Sequence, residues 1–286
     1  MDKLYQIRKN QNLTFRVKPN KFIGMDFNQF KQMYTGNIPQ KPKATQKYYQ
    51  LKDGAIPDEL DLRVKGITTP VKDQAVCGSC WTFATAGVIE GRINMLHRFE
   101  QKPLIRASEQ QVLSCTWLDD TDENGQPRKN LGCNGGETNL ALDQIISVKG
   151  GRVPLESEAP YLGIESQCND DAWTDQYGHI TETVMIDPTL SIEEKTKQLK
   201  QALQGGPVAV SIAVPESMSF YDGGVFNDPE CKEGANAELV HAVLCVGYGT
   251  DSEYGDYWII KNSWSNAWGQ DGYIYISQKN DLCGVL

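Results

Sequence analysis

Residues 74–85 read Gln-Ala-Val-Cys-Gly-Ser-Cys-Trp-Thr-Phe-Ala-Thr. The first part must turn, because Gly78 and Ser79 favour turns over packed core segments. From Trp81 onward every residue tolerates a helix, and no proline intervenes before Pro103. A turn that runs straight into a helix, with a cysteine at the junction, limits how the rest of the chain can be arranged. A thiol in the first turn of a helix sits where the backbone dipole favours negative charge. That placement lowers a cysteine pKa and makes a nucleophile. Two thiols are candidates at this point, Cys77 and Cys80.

The 286 residues suffice for one large domain or two modest ones, and at 40% hydrophobic the chain can bury a core. A net charge of −9 argues against nucleic acid and against an anionic membrane surface as partners. No apolar run is long enough to span a bilayer, and the first ten residues show no signal-peptide segment. Eight cysteines are spread along the chain: Cys77, Cys80, Cys115, Cys133, Cys168, Cys231, Cys245 and Cys283. Zinc would want a second close pair or clustered histidines, and His97, His179 and His241 lie far apart. No metal or cofactor is therefore expected. Scattered cysteines fit structural disulfides and an oxidising compartment, which leads to the expectation that Met1 is not the true start of the protein.

Residues 1–55 differ from the remainder. They hold eleven Lys/Arg against three Asp/Glu, a net +8, while residues 56–286 carry −17. A basic leader on an acidic body suggests electrostatic docking of one on the other. Asp26 and Gln29 can form a capping box for a short helix that places Phe27, Phe30, Met33 and Tyr34 on one apolar face and ends at Gly36. Residues 37–54, with Pro39 and Pro42 among Gln and Lys, read as an extended linker open to cleavage.

In the body, Ser108 and Gln111 cap a short helix through Cys115. Residues 116–132 read as a polar loop with Asp119, Asp120, Asp122 and Glu123. Cys133-Asn134-Gly135-Gly136 makes a tight turn whose glycines permit close backbone approach. A helix over 138–149 stops at Gly150-Gly151, and Ser191 with Glu194 caps another to about Leu203. After Pro207 the pattern is strand, over 208–214, 240–246, 257–261 and 273–277. A helical half is followed by a sheet half, and a site between two such halves is a usual arrangement.

A nucleophilic thiol needs a base, and a base needs an orienting group. His241 lies in an apolar strand, where a histidine is more often a satisfied core residue. His97 reads as a surface residue late in the first body helix, and His179 as a loop residue. Asn262 ends the strand over 257–261, and Trp264 follows it closely. Its amide can hold an imidazole without adding charge, and Trp264 can shield that bond from water. Gln74 can offer its side-chain amide to an oxyanion, with the Cys80 backbone N–H as second donor.

At this point several motifs carry a resemblance. Pro70-Val71-Lys72-Asp73-Gln74 followed by Cys77-Gly78-Ser79-Cys80-Trp81 resembles the active-site segment of papain and the cathepsin L-type cysteine proteases. Cys133-Asn134-Gly135-Gly136, His241-Ala242-Val243 with Gly247-Tyr248-Gly249, and Asn262-Ser263-Trp264 with Trp268-Gly269 are similar to the family in its order. The resemblance covers residues from about 56 to the end. Asn20-Lys21-Phe22 and Phe27-Asn28-Gln29-Phe30 resemble the end of its inhibitory pro-region.

The resemblance implies an α+β, papain-like two-domain fold, with a helical domain and an antiparallel β-barrel-like domain around a cleft. Residues 1–55 would be a partial inhibitory propeptide and linker and 56–286 the peptidase domain. Its helical half would span roughly 66–183 and its β half roughly 184–286 plus 56–65. It implies Cys80 as nucleophile, His241 as acid and base, Asn262 as orienter and Gln74 as oxyanion donor. It implies substrate contacts by Gly135, Gly136 and Trp264, and a pocket lined by Ser211, Leu239 and Ala242. It implies disulfides Cys77–Cys133, Cys115–Cys168 and Cys231–Cys283, with Cys245 a buried free thiol. The implied activity is that of a cysteine endopeptidase made as a zymogen. Its expected partners are peptide or protein substrates, its own propeptide and cystatin-type inhibitors, and it is expected to act as a monomer in a lysosome-like vacuole or outside the cell. The charge contrast adds the expectation that the leader inhibits until pH falls through about 4, where carboxylates lose charge.

The chain departs from the family at Leu62, usually Trp, at Ser265, commonly Gly, in a longer 116–132 loop, and in ending three residues after Cys283. The last departure sustains a second reading, a catalytically weak or inactive papain-fold protein that binds peptides. A third reading takes Cys77 and Cys80 as a redox CxxC pair, which requires a bond between them.

Overall fold

The computed structural model describes residues 2–9, 13–43, 45–100, 103–122 and 124–286. Glu123, counted among the acids of the polar loop, lies outside them. The leader forms α1 (Asp2–Lys9), β1 (Phe15–Val17), α2 (Phe27–Tyr34) and β2 (Lys47–Tyr48). Asp26 caps α2 by accepting from the Asn28 and Gln29 backbone N–H groups. The reciprocal bond of a capping box is not made there. Phe30 and Tyr34 are buried, but Met33 faces solvent. Spacings of three and seven put Phe27, Phe30 and Tyr34 on one stripe, and Met33 falls at its edge.

The body begins with β3 (Leu60–Asp61) and the long α3 (Cys80–His97), followed by α4 (Glu109–Cys115). A small hairpin of β4 (Asp120–Thr121) and β5 (Pro127–Arg128) structures the expected polar loop. Then come α5 (Thr138–Lys149), the pair β6 (Val153–Pro154) and β7 (Trp173–Thr174), and β8 (Val184–Met185). The second half holds α6 (Ile192–Leu203), β9 (Val208–Ile212), α7 (Glu216–Ser219), β10 (Tyr221–Phe226), β11 (His241–Asp251), β12 (Gly255–Lys261) and β13 (Tyr273–Ser277). At α6 the Ser191–Glu194 capping box is complete.

Seven strands form one sheet in the order β1-β10-β13-β12-β11-β3, with β9 also on β11. It is mostly antiparallel, but β10 and β13 pair in parallel. β3 brings the start of the body back to the sheet half by pairing at Gly247 and Tyr248. Only glycine fits there, since a Cβ on Gly247 would lie 2.1 Å from the Leu60 carbonyl oxygen. β1 extends the sheet from the leader, with Phe15 opposite Gly224. β2 pairs in parallel with β8, so the expected linker is extended but docked over part of its length. Residues 50–55 are all exposed.

Two apolar cores result. One gathers Trp81, Ile89, Val112, Leu113 and Ile145 among α3, α4 and α5. The other lies on the sheet and includes leader residues Phe15, Phe22, Phe30 and Tyr34 with Trp258, Trp264 and Trp268. α3 packs between them, its Gly87 against Leu244 and its Gly91 against Pro207. Three disulfides join Cys77–Cys133, Cys115–Cys168 and Cys231–Cys283, while Cys80 and Cys245 are free and buried.

Candidate active site

Cys80 is the first residue of α3, as the turn-to-helix pattern predicts. The preceding loop is fixed twice on one side. Cys77 is bonded to Cys133, and the Gly78 N–H donates to the Cys133 carbonyl at 2.9 Å. This pairing removes the redox reading, which needs Cys77 bonded to Cys80. The Cys80 thiol sulfur accepts from the Ala242 backbone N–H at 3.4 Å, which sets it beside the start of β11. At the helix N-terminus the Cys80 backbone N–H is one of the groups that an α-helix leaves without an intrahelical partner.

His241 is the first residue of β11 and is wholly buried. Its Nε2 lies 2.7 Å from Asn262 Oδ1, which also accepts from the Ser263 backbone N–H at 2.8 Å. An oxygen that accepts twice fixes the amide orientation, so neutral His241 carries its proton on Nε2. Nδ1 is left as the nitrogen that can accept from a thiol, and it is buried without a hydrogen-bond partner. Trp264 stacks on the imidazole with centroids 4.7 Å apart and planes 23° apart. It covers the face of the ring that holds the His241–Asn262 bond. His97, half-buried and 2.8 Å from Glu100, and His179, exposed and bonded to the Gly150 carbonyl, lie elsewhere.

Gln74 is buried, and its side chain is partly committed. Its Nε2 donates to the Cys77 carbonyl at 2.9 Å, and its Oε1 accepts from the Ser263 hydroxyl at 2.7 Å. The amide has two N–H bonds, so one remains for an oxyanion. Gln74 also ties the nucleophile loop to the Asn262 segment, a link that no residue pattern signals.

Burial pushes the Cys80 thiol up to about 12, overriding the favourable N–H groups of the helix start and Ala242. Burial likewise pushes the His241 imidazole down to about 4, against the Asn262 hydrogen bond that raises it. The thiol expected to be acidic is therefore neutral in this covered state, and so is its base. The cover is the leader. Gly36 and Asn37 donate backbone N–H groups to the Val240 carbonyl at 3.0 and 2.9 Å, directly before His241. Across the cleft, the Gly136 N–H donates to the Gly36 carbonyl at 2.8 Å, and Ile38 donates to the Gly136 carbonyl at 2.9 Å. Trp264 donates its indole N–H to the Tyr34 carbonyl at 2.9 Å, with Phe30 and Phe22 edge-on to its ring.

Basic leader side chains complete the docking. Lys18 pairs with Asp222 at 2.5 Å, Lys21 with Asp73 at 2.8 Å, Lys43 with Asp143 at 2.7 Å and Lys47 with Glu182 at 2.5 Å. The charge contrast of the sequence thus has specific partners, which the sequence could not name.

The expected pocket residues border two spaces. Ser211 and Leu239 line a cavity of about 360 Å³ between the leader, α5, α6 and residues 284–286. Ala242 instead borders a space of about 30 Å³ beside Lys72, Glu90, Glu109 and Lys261. Ala242 and Ser211 are nonetheless direct cross-strand partners on β11 and β9, so their side chains share one face of the sheet. Gly135, at φ +117°, sits under the leader, with Ile38 and the Gly36 carbonyl where a side chain would go.

Residues 56–286 match the family model described as papain family cysteine protease. Digestive cysteine proteinase 2 of Homarus americanus is 36% identical over 97% of this chain and 79% of its own length. Procathepsin L of Rattus norvegicus is 35% identical over 95% of this chain and 75% of its own. Among solved structures, digestive procathepsin L2 proteinase from Tenebrio molitor larval midgut superimposes with a TM-score of 0.79 at 26% identity. It covers 99% of this chain, which spans 85% of it.

Proposed function

The chain belongs to the papain family of cysteine proteases, and on that premise we propose that it is an endopeptidase held latent by residues 1–55, with Cys80 as nucleophile. One observation carries the reading. His241 is held by Asn262 at 2.7 Å under Trp264, beside a Cys80 sulfur held by the Ala242 N–H at 3.4 Å.

The reaction is acyl transfer. The Cys80 thiol gives its proton to His241 Nδ1, and the thiolate attacks a peptide carbonyl. The remaining Gln74 N–H and the Cys80 backbone N–H receive the oxyanion, each such donor contributing about 3 kcal/mol. Protonated His241 gives its proton to the leaving amine, whose departure leaves a thioester on Cys80. His241 then takes a proton from water, which attacks the thioester and restores the thiol. Asn262 keeps the ring in one tautomer and orientation throughout. Gly136, whose N–H and C=O hold the leader backbone, would hold the substrate backbone in its place.

Latency follows from the same contacts. Leader backbone occupies Gly136 and Val240, and leader aromatics cover Trp264. Residues 50–55, all exposed, are where a cut would free it. A leader of net +8 on a body of net −17 is held less firmly where carboxylates in general lose charge, at a pH of about 4, which suits an acidic vacuole. Three disulfides suit that compartment or the cell exterior.

The test is hydrolysis of a fluorogenic dipeptide series by the unaltered chain and by Cys80→Ala, before and after cleavage within 50–55. The unaltered, cut chain should hydrolyse, and the intact chain should be nearly silent. Activity in Cys80→Ala would refute the assignment of the nucleophile. Equal activity of the cut and intact chains would refute latency.

A further inference from the structure

Beside the cleft lies a charged cluster that the reaction does not use. Arg128, on β5, is only 2% exposed and faces three carboxylates. Asp120 lies 3.4 Å from its guanidinium, Glu137 3.5 Å and Asp143 4.0 Å. One cation among three acids is not a balanced structural pair. Asp143 is 7% exposed, and its Oδ2 is buried with no hydrogen-bond partner. Burying carboxylates without enough partners is costly, so a cluster of this composition is short of cationic partners, although Arg128 Nε is also buried without a hydrogen-bond partner.

The leader supplies them. Lys43 reaches Asp143 Oδ1 at 2.7 Å, beside the Thr183 hydroxyl at 2.6 Å, and Arg128 and the Gln40 backbone N–H favour the charged form of Glu137 against the burial that raises its carboxyl to about 7. Lys43 is a third exposed and is held by that one ion pair. Its position is set by the backbone contacts at Gly136, which hold residues 36 and 38 a few residues earlier.

Glu137 directly follows Gly136, and Asp143 lies on the helix that starts at the next residue. The acids therefore begin where the peptide backbone is held, and Asp143 lies a further turn or two along α5. Glu137 also lines the cavity of about 360 Å³ that Ser211 and Leu239 share. Once the leader leaves, this cluster loses Lys43 and the Gln40 N–H and keeps Arg128 as its cation, with the Thr183 hydroxyl still on Asp143. Whatever peptide next lies on Gly136 meets three carboxylates with one counterion.

We propose that Glu137 and Asp143, braced by Arg128, form a subsite for a basic side chain, so that the substrates cleaved best carry Lys or Arg upstream of the scissile bond, beyond the residue held at Gly136. Lys43 of the leader occupies that subsite in the latent state. The inference rests on the peptidase reading and adds the chemistry of the substrate to it.

The test uses the full-length chain cut within residues 50–55 and a set of fluorogenic hexapeptides. Each carries Lys, norleucine or Glu at the third, fourth or fifth position upstream of the bond. Lys should exceed norleucine at one of these positions by about tenfold in kcat/KM, chiefly through KM, as a charge-assisted hydrogen bond warrants. Glu should be worst there, and the preference should shrink as salt rises. Asp143→Asn should lose most of the preference, and its circular-dichroism spectrum and melting temperature report whether it has folded. Glu182→Gln, at the exposed carboxylate that pairs with Lys47, should keep the preference.

Equal cleavage of Lys and norleucine peptides at all three positions by the unaltered chain would overturn the subsite. Binding of the same peptides to cut Cys80→Ala separates this from the peptidase reading. Charge-dependent binding without any hydrolysis by the unaltered chain would uphold the subsite and sink the peptidase reading. Charge-independent binding would sink the subsite even if hydrolysis is seen.

Discussion

Gly36→Ala is a change in the leader alone, and its effect can be worked from contacts. Gly36 has φ +153°, a conformation that side chains rarely adopt. A Cβ there would lie 2.1 Å from the Gly78 carbonyl oxygen, 2.6 Å from its carbon and 2.9 Å from Gly78 Cα. All three are backbone atoms of a loop tethered by the Cys77–Cys133 disulfide, so the loop cannot give way. The leader must lift by about 1 Å or more to restore ordinary contact distances. That lift breaks some of the hydrogen bonds at Val240 and Gly136, each worth about 1 kcal/mol. With backbone strain of about 1–3 kcal/mol, docking should weaken by about 3 kcal/mol. The open fraction then rises roughly a hundredfold. The assay is the initial rate of dipeptide hydrolysis at neutral pH by chain shown on a gel to be uncut. The Gly36→Ala chain should leak activity that the unaltered chain lacks, and after cleavage within 50–55 the two should be equal. An uncut Gly36→Ala chain as silent as the unaltered one would refute the view that this backbone crossing closes the site.

Two further predictions concern buried charge. Asp281, only 1% exposed, has its carboxyl raised to about 6 by burial, although it accepts from the Leu286 N–H at 2.9 Å. A raised carboxyl binds its proton more tightly in the folded state, so its stabilising contribution is complete below about 4 and is lost as pH rises through about 6. Asp281→Asn keeps an acceptor, and asparagine tolerates the left-handed φ of +55°, so it should melt a few degrees higher at pH 7.5 and equally at pH 4. An unchanged melting temperature at pH 7.5 would sink the argument. Lys72 is the shared partner of Glu90, at 2.7 Å, and of Glu109, and all three are nearly buried. Lys72→Met leaves two adjacent buried carboxylates and should cost about 3–5 kcal/mol in denaturant unfolding; a loss below about 1 kcal/mol would show that the trio is not a coupled unit.

What the sequence made legible was local or strongly patterned. The turn-to-helix junction at Cys80, the caps at Ser108 and Ser191, and the strand ending at Asn262 are written in consecutive residues, and they recur in the structure. β10 was missed because Gly223 and Gly224 interrupt its pattern. In the sheet they accommodate the close approach of Arg16 on β1 and of Thr14 just before it. Arg128 was missed for a different reason. It lies in a stretch of Asp, Asn, Gln and Lys that reads as solvated, and its burial depends on Glu137 and Asp143, which adjoin it only in the fold. The leader's charge foretold attraction but not its partners, since net charge carries no positions. Met33 was placed one stripe too far round α2 for want of the packing that selects among adjacent apolar residues.

The helix-start argument and the folded site pull the Cys80 pKa in opposite directions, and their magnitudes decide between them. A helix dipole favours a negative charge at its N-terminus by about 0.3–1 kcal/mol at an exposed site, and up to about 2 kcal/mol in favourable partly buried geometry. Isolating a charge from water costs several kcal/mol. Under the leader the second effect wins, which is why the thiol rises to about 12 and the imidazole falls to about 4. On the latency proposed above, the leader would do more than occupy the path of a substrate. By lying across Gly136 and Val240 and covering Trp264, it withholds the water that a thiolate–imidazolium pair needs. The His241–Asn262 bond is already made, while His241 Nδ1 has no partner, so what remains is contact within the Cys80–His241 pair. Removing the leader returns solvent to one side of it, and the dipole, the Ala242 N–H and the Asn262 amide, already in place, then act on a pair that can ionise.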